Sequence, residues 1–242
     1  MTTANKLVQN PIFCAVDTAD VNIATSWATR IGSHVGGIKL GLQFFSAHGP
    51  MGIKQVVKDS DCPVFLDLKF HDIPNTVAGA VRAVTATKPF MLNVHAGGGR
   101  AMMEAAVKAA AEAAHEYGVG RPLVIGVTVL TSLGNEDLDD LGISSANDQA
   151  LRLSILAKEA GLDGVVCSPH EASRIRSECG PNFKLVTPGV RPDWAEKNDQ
   201  KRIMTPEQAL AEGADYLVIG RPITASRDPA AAARRIFSSL TA

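Results

Sequence analysis

Short apolar runs rich in β-branched residues recur along the chain, at Ile12 to Val16, Gly37 to Leu42, Val64 to Leu68, Phe90 to Val94, Leu123 to Val129, Gly164 to Cys167, Lys184 to Thr187 and Tyr216 to Ile219. Each predicts a strand, and their near-continuous apolarity suits strands buried on both faces. The first four begin roughly 26 residues apart, and each gap holds a segment with helical periodicity, which is the alternation of a parallel βαβ sheet. Asn22 to Ile31 and Gly98 to Tyr117 are Ala-rich and amphipathic, with Gly118 placed to close the second. Asp228-Pro229 supplies an N-cap and a first-turn proline for a helix from Ala230 to Leu240, and Thr205-Pro206-Glu207 opens another in the same way. There is no linker and no break in composition. Eight such units predict an α/β chain folded as one (β/α)8 barrel, a TIM barrel covering residues 1–242 as a single domain, with a doubly wound sheet as the alternative. Active residues are then expected at the C-terminal ends of the strands. Pro188 to Met204, the longest non-helical stretch, is a candidate lid.

Charges interrupt the apolar pattern where they are costly. In Phe65-Leu66-Asp67-Leu68-Lys69-Phe70-His71-Asp72, period-two alternation puts Phe65, Asp67 and Lys69 on one face and Leu66, Leu68 and Phe70 on the other. In a barrel the first face points inward, where ionised groups are expensive unless paired. Asp17 closes the first strand and Lys39 lies inside the second, so the five residues Asp17, Lys39, Asp67, Lys69 and Asp72 predict an alternating cluster on neighbouring strands. Carboxylates beside a lysine favour its ammonium form. Lys69 is therefore suited to donating a proton and not to forming a Schiff base, which needs a neutral amine. On the far side, Pro188-Gly189-Val190-Arg191 follows the seventh strand and Gly220-Arg221-Pro222 the eighth, the loops in which barrels of this kind hold a phosphate.

Composition narrows the function classes. With 24 basic against 25 acidic side chains the formal net charge is −1, which excludes a nucleic-acid binder held by its overall field. Hydrophobic residues at 45% and charged residues at 20% describe a globular chain. Cys14, Cys62, Cys167 and Cys179 lie far apart with no zinc-like spacing, and read as reduced thiols of a cytoplasmic protein. Met1 to Asn10 is polar, without the apolar core of a signal peptide.

Four segments carry a closer resemblance: Phe65 to Thr76 (FLDLKFHDIPNT), Val127 to Ser132 (VTVLTS), Val186 to Pro192 (VTPGVRP) and Val218 to Pro222 (VIGRP). In these the chain resembles the orotidine 5'-phosphate decarboxylase family in its compact, stand-alone form. The resemblance implies loss of CO2 from orotidine 5'-phosphate to give UMP, the last step of de novo UMP synthesis, with no cofactor and no metal. It implies that Lys39, Asp67, Lys69 and Asp72 form a charged tetrad, and that Asp72, Ile73 and Thr76 come from the partner subunit of a homodimer. By the same resemblance Asp17 and Lys39 bind ribose hydroxyls, Thr131 and Ser132 face the pyrimidine, and Gln200, Gly220, Arg221 and Arg191 hold the phosphate. A magnesium-dependent keto-acid phosphate decarboxylase on the same barrel, or an idle barrel that only binds nucleotide phosphate, are the competing functions.

Other eye-catching residues have plainer explanations. His71 reads as a packing or loop-orienting residue, and His95-Ala96-Gly97-Gly98-Gly99 as a tight turn into the next helix. Met102, Met103 and Cys167 read as core. Asn135 to Asp140 reads as a solvated turn that lacks the calcium-loop spacing.

Overall fold

A computed structural model describes residues 10–58, 60, 62–195 and 204–241. Eight parallel strands follow one another round a closed barrel, β1 (Ile12–Ala15), β2 (Gly37–Gly41), β3 (Val64–Phe70), β4 (Met91–His95), β5 (Leu123–Val127), β6 (Gly164–Val166), β7 (Lys184–Thr187) and β8 (Tyr216–Ile219), with β8 pairing back onto β1. The closed ring excludes the doubly wound alternative, because an open sheet would leave two edges unpaired. The larger helices packed outside are α1 (Val21–Ile31), α2 (Leu42–Val57), α3 (Pro74–Thr85) and α4 (Arg100–Tyr117). They are followed by α5 (Asn135–Asp140), α6 (Ala146–Glu159), α7 (Pro169–Cys179), α8 (Pro206–Ala211), α9 (Arg221–Thr224) and α10 (Pro229–Ser239).

Strand periodicity sorts the core into two shells. Ile12, Cys14, Ile38, Leu40, Leu66, Leu68, Leu92 and Val94 point outward into the layer shared with the helices. Phe13, Phe65, Met91, Ile125, Val186 and Val218 point inward. Inside the barrel the rings of Phe13, Phe65, Phe90 and Tyr216 pack on one another, with centroids 5.6 to 6.1 Å apart. Gly37 makes this possible, since a Cβ there would lie 2.3 Å from the Phe13 ring.

The expected punctuation is present. Asp228 caps α10, accepting from the Ala231 N–H at 3.0 Å, and Thr205 caps α8 through the Gln208 N–H at 3.3 Å. Gly118 closes α4 in the left-handed conformation at φ +61°, which costs glycine little.

The bounds of β1 to β6 differ from expectation by one or two residues, and one element differs in kind. β3 runs on to Phe70 because pairing with β4 resumes at Phe70 and Val94 after a register shift. Leu42 leaves β2 for the first turn of α2, and Val129 lies beyond the last paired residue of β5. Asn135 to Asp140 is a short helix, not a turn: the Asp137 carboxylate accepts from the Gly134 N–H at 2.8 Å, and Leu138 is buried against Val129 and Ala150. Of Pro188 to Met204, the described residues form the base, where Val190 bridges Met204 and the Arg191 N–H donates to the Met204 carbonyl at 3.0 Å.

Candidate active site

A cavity of about 300 Å³ opens at the C-terminal ends of the strands, within the range of small-molecule sites. Its floor is the upper inward layer of the barrel, including Ala15, Phe65, Val166 and Val218. Asp17, Lys39, Asp67 and Lys69 line it from the ends of β1 to β3, and Gly189, Arg191, Gly220 and Arg221 from the loops after β7 and β8. The alternation expected in β3 therefore holds, and Asp67 and Lys69 share the inner face.

The charges form a chain across three strand ends. Lys39 Nζ lies 3.2 Å from Asp17 Oδ1 and 3.3 Å from Asp67 Oδ2, and Lys69 Nζ lies 2.7 Å from Asp67 Oδ1. Lys39 is only 8% exposed, so its ammonium has lost most of its water and depends on the two carboxylates. Burial alone would lower its pKa, but Asp67 and Asp17 outweigh burial and raise it. For Asp67 burial pushes upward, and Lys39, Lys69 and the Asn93 amide together hold the carboxyl below its ordinary value.

These shifts fix the sign of a pH effect on stability. Asp67 contributes fully above its unfolded-state value of 3.8, and that contribution is lost as pH falls through the lower folded value. Lys39 contributes fully below 10.5 and loses its contribution as pH rises through the higher folded value. The melting temperature of Asp67→Asn, followed against pH by calorimetry, is expected to fall less steeply below pH 3.8 than that of the parent. Equal slopes would show that Asp67 ionisation is not coupled to folding.

Strand geometry at Lys69 is irregular. From Leu66 to Phe70 β3 advances four residues while β4 advances two, from Leu92 to Val94. Lys69 adopts φ +49° within this bulge, an uncommon conformation for a residue with a Cβ. Asn93, which the sequence reading passed over, sits opposite. It is fully buried, its Oδ1 accepting from the Lys69 N–H and its Nδ2 donating to Asp67 Oδ1, each at 2.7 Å. The available signal was one amide inside the apolar run from Phe90 to Val94.

Thr131 reaches the cavity wall, whereas Ser132, Asp72, Ile73 and Thr76 are exposed and do not line it. Asp72 accepts from the N–H of Ile73 at 2.6 Å, and Ile73 is 66% exposed at the start of α3. The cluster expected from sequence thus contains Asp17, Lys39, Asp67 and Lys69 but not the Asp72 of the same chain. Gln200 lies outside the described residues. The phosphate-loop candidates assemble as Gly189, Arg191, Gly220 and Arg221, with Arg191 5% exposed and Arg221 opening α9.

The plainer readings divide. Met102 and Met103 are core. Cys167 is buried but also forms part of the cavity wall, a correction to a purely core residue; burial, then the Glu171 carboxylate, push its thiol pKa up, so it stays protonated. His71 packs against His95 with the rings tilted and their centroids 5.2 Å apart. Burial, His71 and Lys69 lower the pKa of His95, leaving it neutral near pH 7. The segment after His95 is a 3-10 turn, Ala96–Gly98, as expected of a tight entry to α4. Among the described residues no helix is long and apolar enough to cross a membrane, and no group of three or more His, Cys, Asp or Glu could hold a metal.

Fold and site together define a (β/α)8 enzyme with a polar, charged pocket at the face where this architecture carries its chemistry. The sequence matches the Orotidine 5'-phosphate decarboxylase / HUMPS family over residues 10–236, and the chain belongs to that family. It is 57% identical over 236 residues to the orotidine 5'-phosphate decarboxylase of Rhodospirillum rubrum, covering 97% of this chain and 96% of that protein. It is 49% identical over 232 residues to the corresponding protein of Paramagnetospirillum magneticum, covering 96% and 98%. The crystal structure of orotidine 5'-phosphate decarboxylase from Lactobacillus acidophilus superposes with a TM-score of 0.83 at 31% identity, over 96% of this chain and all of that one.

Proposed function

We infer that the protein removes CO2 from orotidine 5'-phosphate to give UMP, the last step of de novo UMP synthesis. One observation carries this reading beyond family membership: the paired charges Lys39, Asp67 and Lys69 from β2 and β3, and Arg191 and Arg221 from the loops after β7 and β8, line one cavity. The substrate has an anion at each end, a ring carboxylate and a phosphate, and so matches a site with these two sets of charges.

Loss of CO2 from C6 of the pyrimidine leaves a carbanion that ring conjugation does not spread as it would an enolate. Its stabilisation must come from charge already in place. Lys69 supplies that charge and then protonates C6. Asp67 holds the Lys69 ammonium in place through their ion pair and faces the departing carboxylate, so the repulsion present in the bound substrate is relieved as CO2 leaves. Asp17 and Lys39 hold the ribose hydroxyls and Thr131 the pyrimidine edge, with Ser132 reaching the ring only if its loop moves inward from the exposed position it has here. Arg191, Gly220, Arg221 and Gln200 bind the phosphate, whose binding energy is spent on lowering the barrier at the ring. No step calls for a metal or cofactor.

The unit that works is a homodimer. Asp72, Ile73 and Thr76 are exposed at the start of α3, away from their own cavity, which supports their completing the site of a partner subunit as the fourth member of the tetrad and its neighbours. The dimer then works in the cytoplasm, where reduced thiols persist.

Purified protein treated with EDTA is expected to convert orotidine 5'-phosphate to UMP at the rate seen without chelator, followed by the fall in near-ultraviolet absorbance. Turnover restored only by magnesium would favour the keto-acid phosphate decarboxylases of the same barrel. Folded protein that binds UMP and turns over nothing would be an idle barrel.

A further inference from the structure

The bulge in β3 leaves a gap in the ladder beside Lys69, and a side chain from the next strand fills it. The Lys69 N–H can only donate, so the Asn93 atom facing it at 2.7 Å is the amide oxygen. That fixes the other end of the amide as the donor facing Asp67 Oδ1 at 2.7 Å. Asp67 Oδ1 also accepts from Lys69 Nζ at 2.7 Å, and Oδ2 faces Lys39 Nζ at 3.3 Å. With two donors already on Oδ1, a proton on that oxygen would have no acceptor to meet, so this network is satisfied by an ionised Asp67. One buried amide therefore touches both halves of the Asp67–Lys69 pair, the carboxylate through its NH2 and the lysine through its main chain at φ +49°.

We propose that Asn93 is a positioning residue for decarboxylation, holding the Asp67 carboxylate charged and the Lys69 backbone in the bulged conformation that aims its ammonium into the cavity. The inference rests on the function proposed above. Asn93 does not line the cavity, so it acts through Asp67 and Lys69 and not on the substrate. The charged and titratable groups around Asp67 are Lys39 from β2, with Asp17 after β1 paired to that lysine, Lys69 on its own strand, and His95 of β4 with His71 packed against it. None of the others touches both Asp67 and the main chain of Lys69.

The test uses Asn93→Asp, nearly isosteric, which keeps an acceptor for the Lys69 N–H and replaces the donor to Asp67 with a second carboxylate. In the full-length protein its kcat is expected to fall about 10- to 100-fold, the rate equivalent of losing one hydrogen bond to a charged group, with KM changed by less than about threefold. The acid limb of kcat is expected to move up by about one pH unit or more, since two facing carboxylates resist joint ionisation. Asn93→Ser, which can keep one of the two bonds, is expected to lose about tenfold in kcat and serves if the first variant does not fold. A folded variant with kcat within about twofold of the parent, or a loss confined to KM, overturns the proposal. The carbon-13 titration of Asp67 in ligand-free protein, assigned with Asp67→Asn, separates the two claims. If the parent turns over no orotidine 5'-phosphate the proposed function fails, while an Asp67 midpoint unmoved in Asn93→Asp defeats the positioning role on its own.

Discussion

Lys69→Ala is expected to lose turnover almost completely while still binding UMP. Lys69 is given two tasks, stabilising negative charge as it develops and supplying the proton afterwards. Removing one preorganised donor costs about 10²- to 10³-fold and removing a general acid about 10²- to 10⁴-fold, so a loss of ~10⁴-fold or more is the expected scale. Nucleotide binding survives because Arg191 and Arg221 are untouched. The backbone also gains nothing by the change: alanine carries a Cβ as lysine does, and meets the same cost at φ +49°. Loss of the ammonium does leave Asp67 with one cation fewer, although Lys39 remains 3.3 Å from its Oδ2. Absorbance assays for turnover and calorimetry for UMP give the two readouts. Activity within about tenfold of the parent would remove Lys69 from the mechanism.

Mixing two inactive proteins, Lys69→Ala and Asp72→Ala, is expected to regenerate activity. If Asp72 serves the neighbouring cavity, a hybrid dimer has one site carrying both lesions and one carrying neither. Random exchange at equal concentrations makes half the dimers hybrid, so about a quarter of all sites are restored. Native mass spectrometry would verify exchange and the absorbance assay would measure recovery. Hybrids proven to form and still inactive would mean that each site is built within one chain.

The strands were legible because burial on both faces leaves an unbroken apolar signature, and β7 and β8 have the expected boundaries. The charged cluster was legible for the complementary reason. Lys39, Asp67 and Lys69 are ionisable residues in segments that otherwise read as core, and their pairing is what makes that location tolerable. Asn93 escaped notice because a neutral amide in an apolar run gives little electrostatic signal, and its partners become neighbours only through the offset between Leu66 to Phe70 and Leu92 to Val94. Asp72 was legible as a residue but not as a location: three positions beyond Lys69 the chain has left the strand, and periodicity no longer says which way it faces. The short helix at Asn135–Asp140 was hidden for another reason, since its anchor is a single buried leucine, Leu138, among charged residues.

The packed rings of Phe13, Phe65, Phe90 and Tyr216 have a consequence for traffic. They fill the barrel interior below the cavity, which opens at the C-terminal ends of the strands. Substrate, nucleotide and CO2 are then expected to share that one mouth.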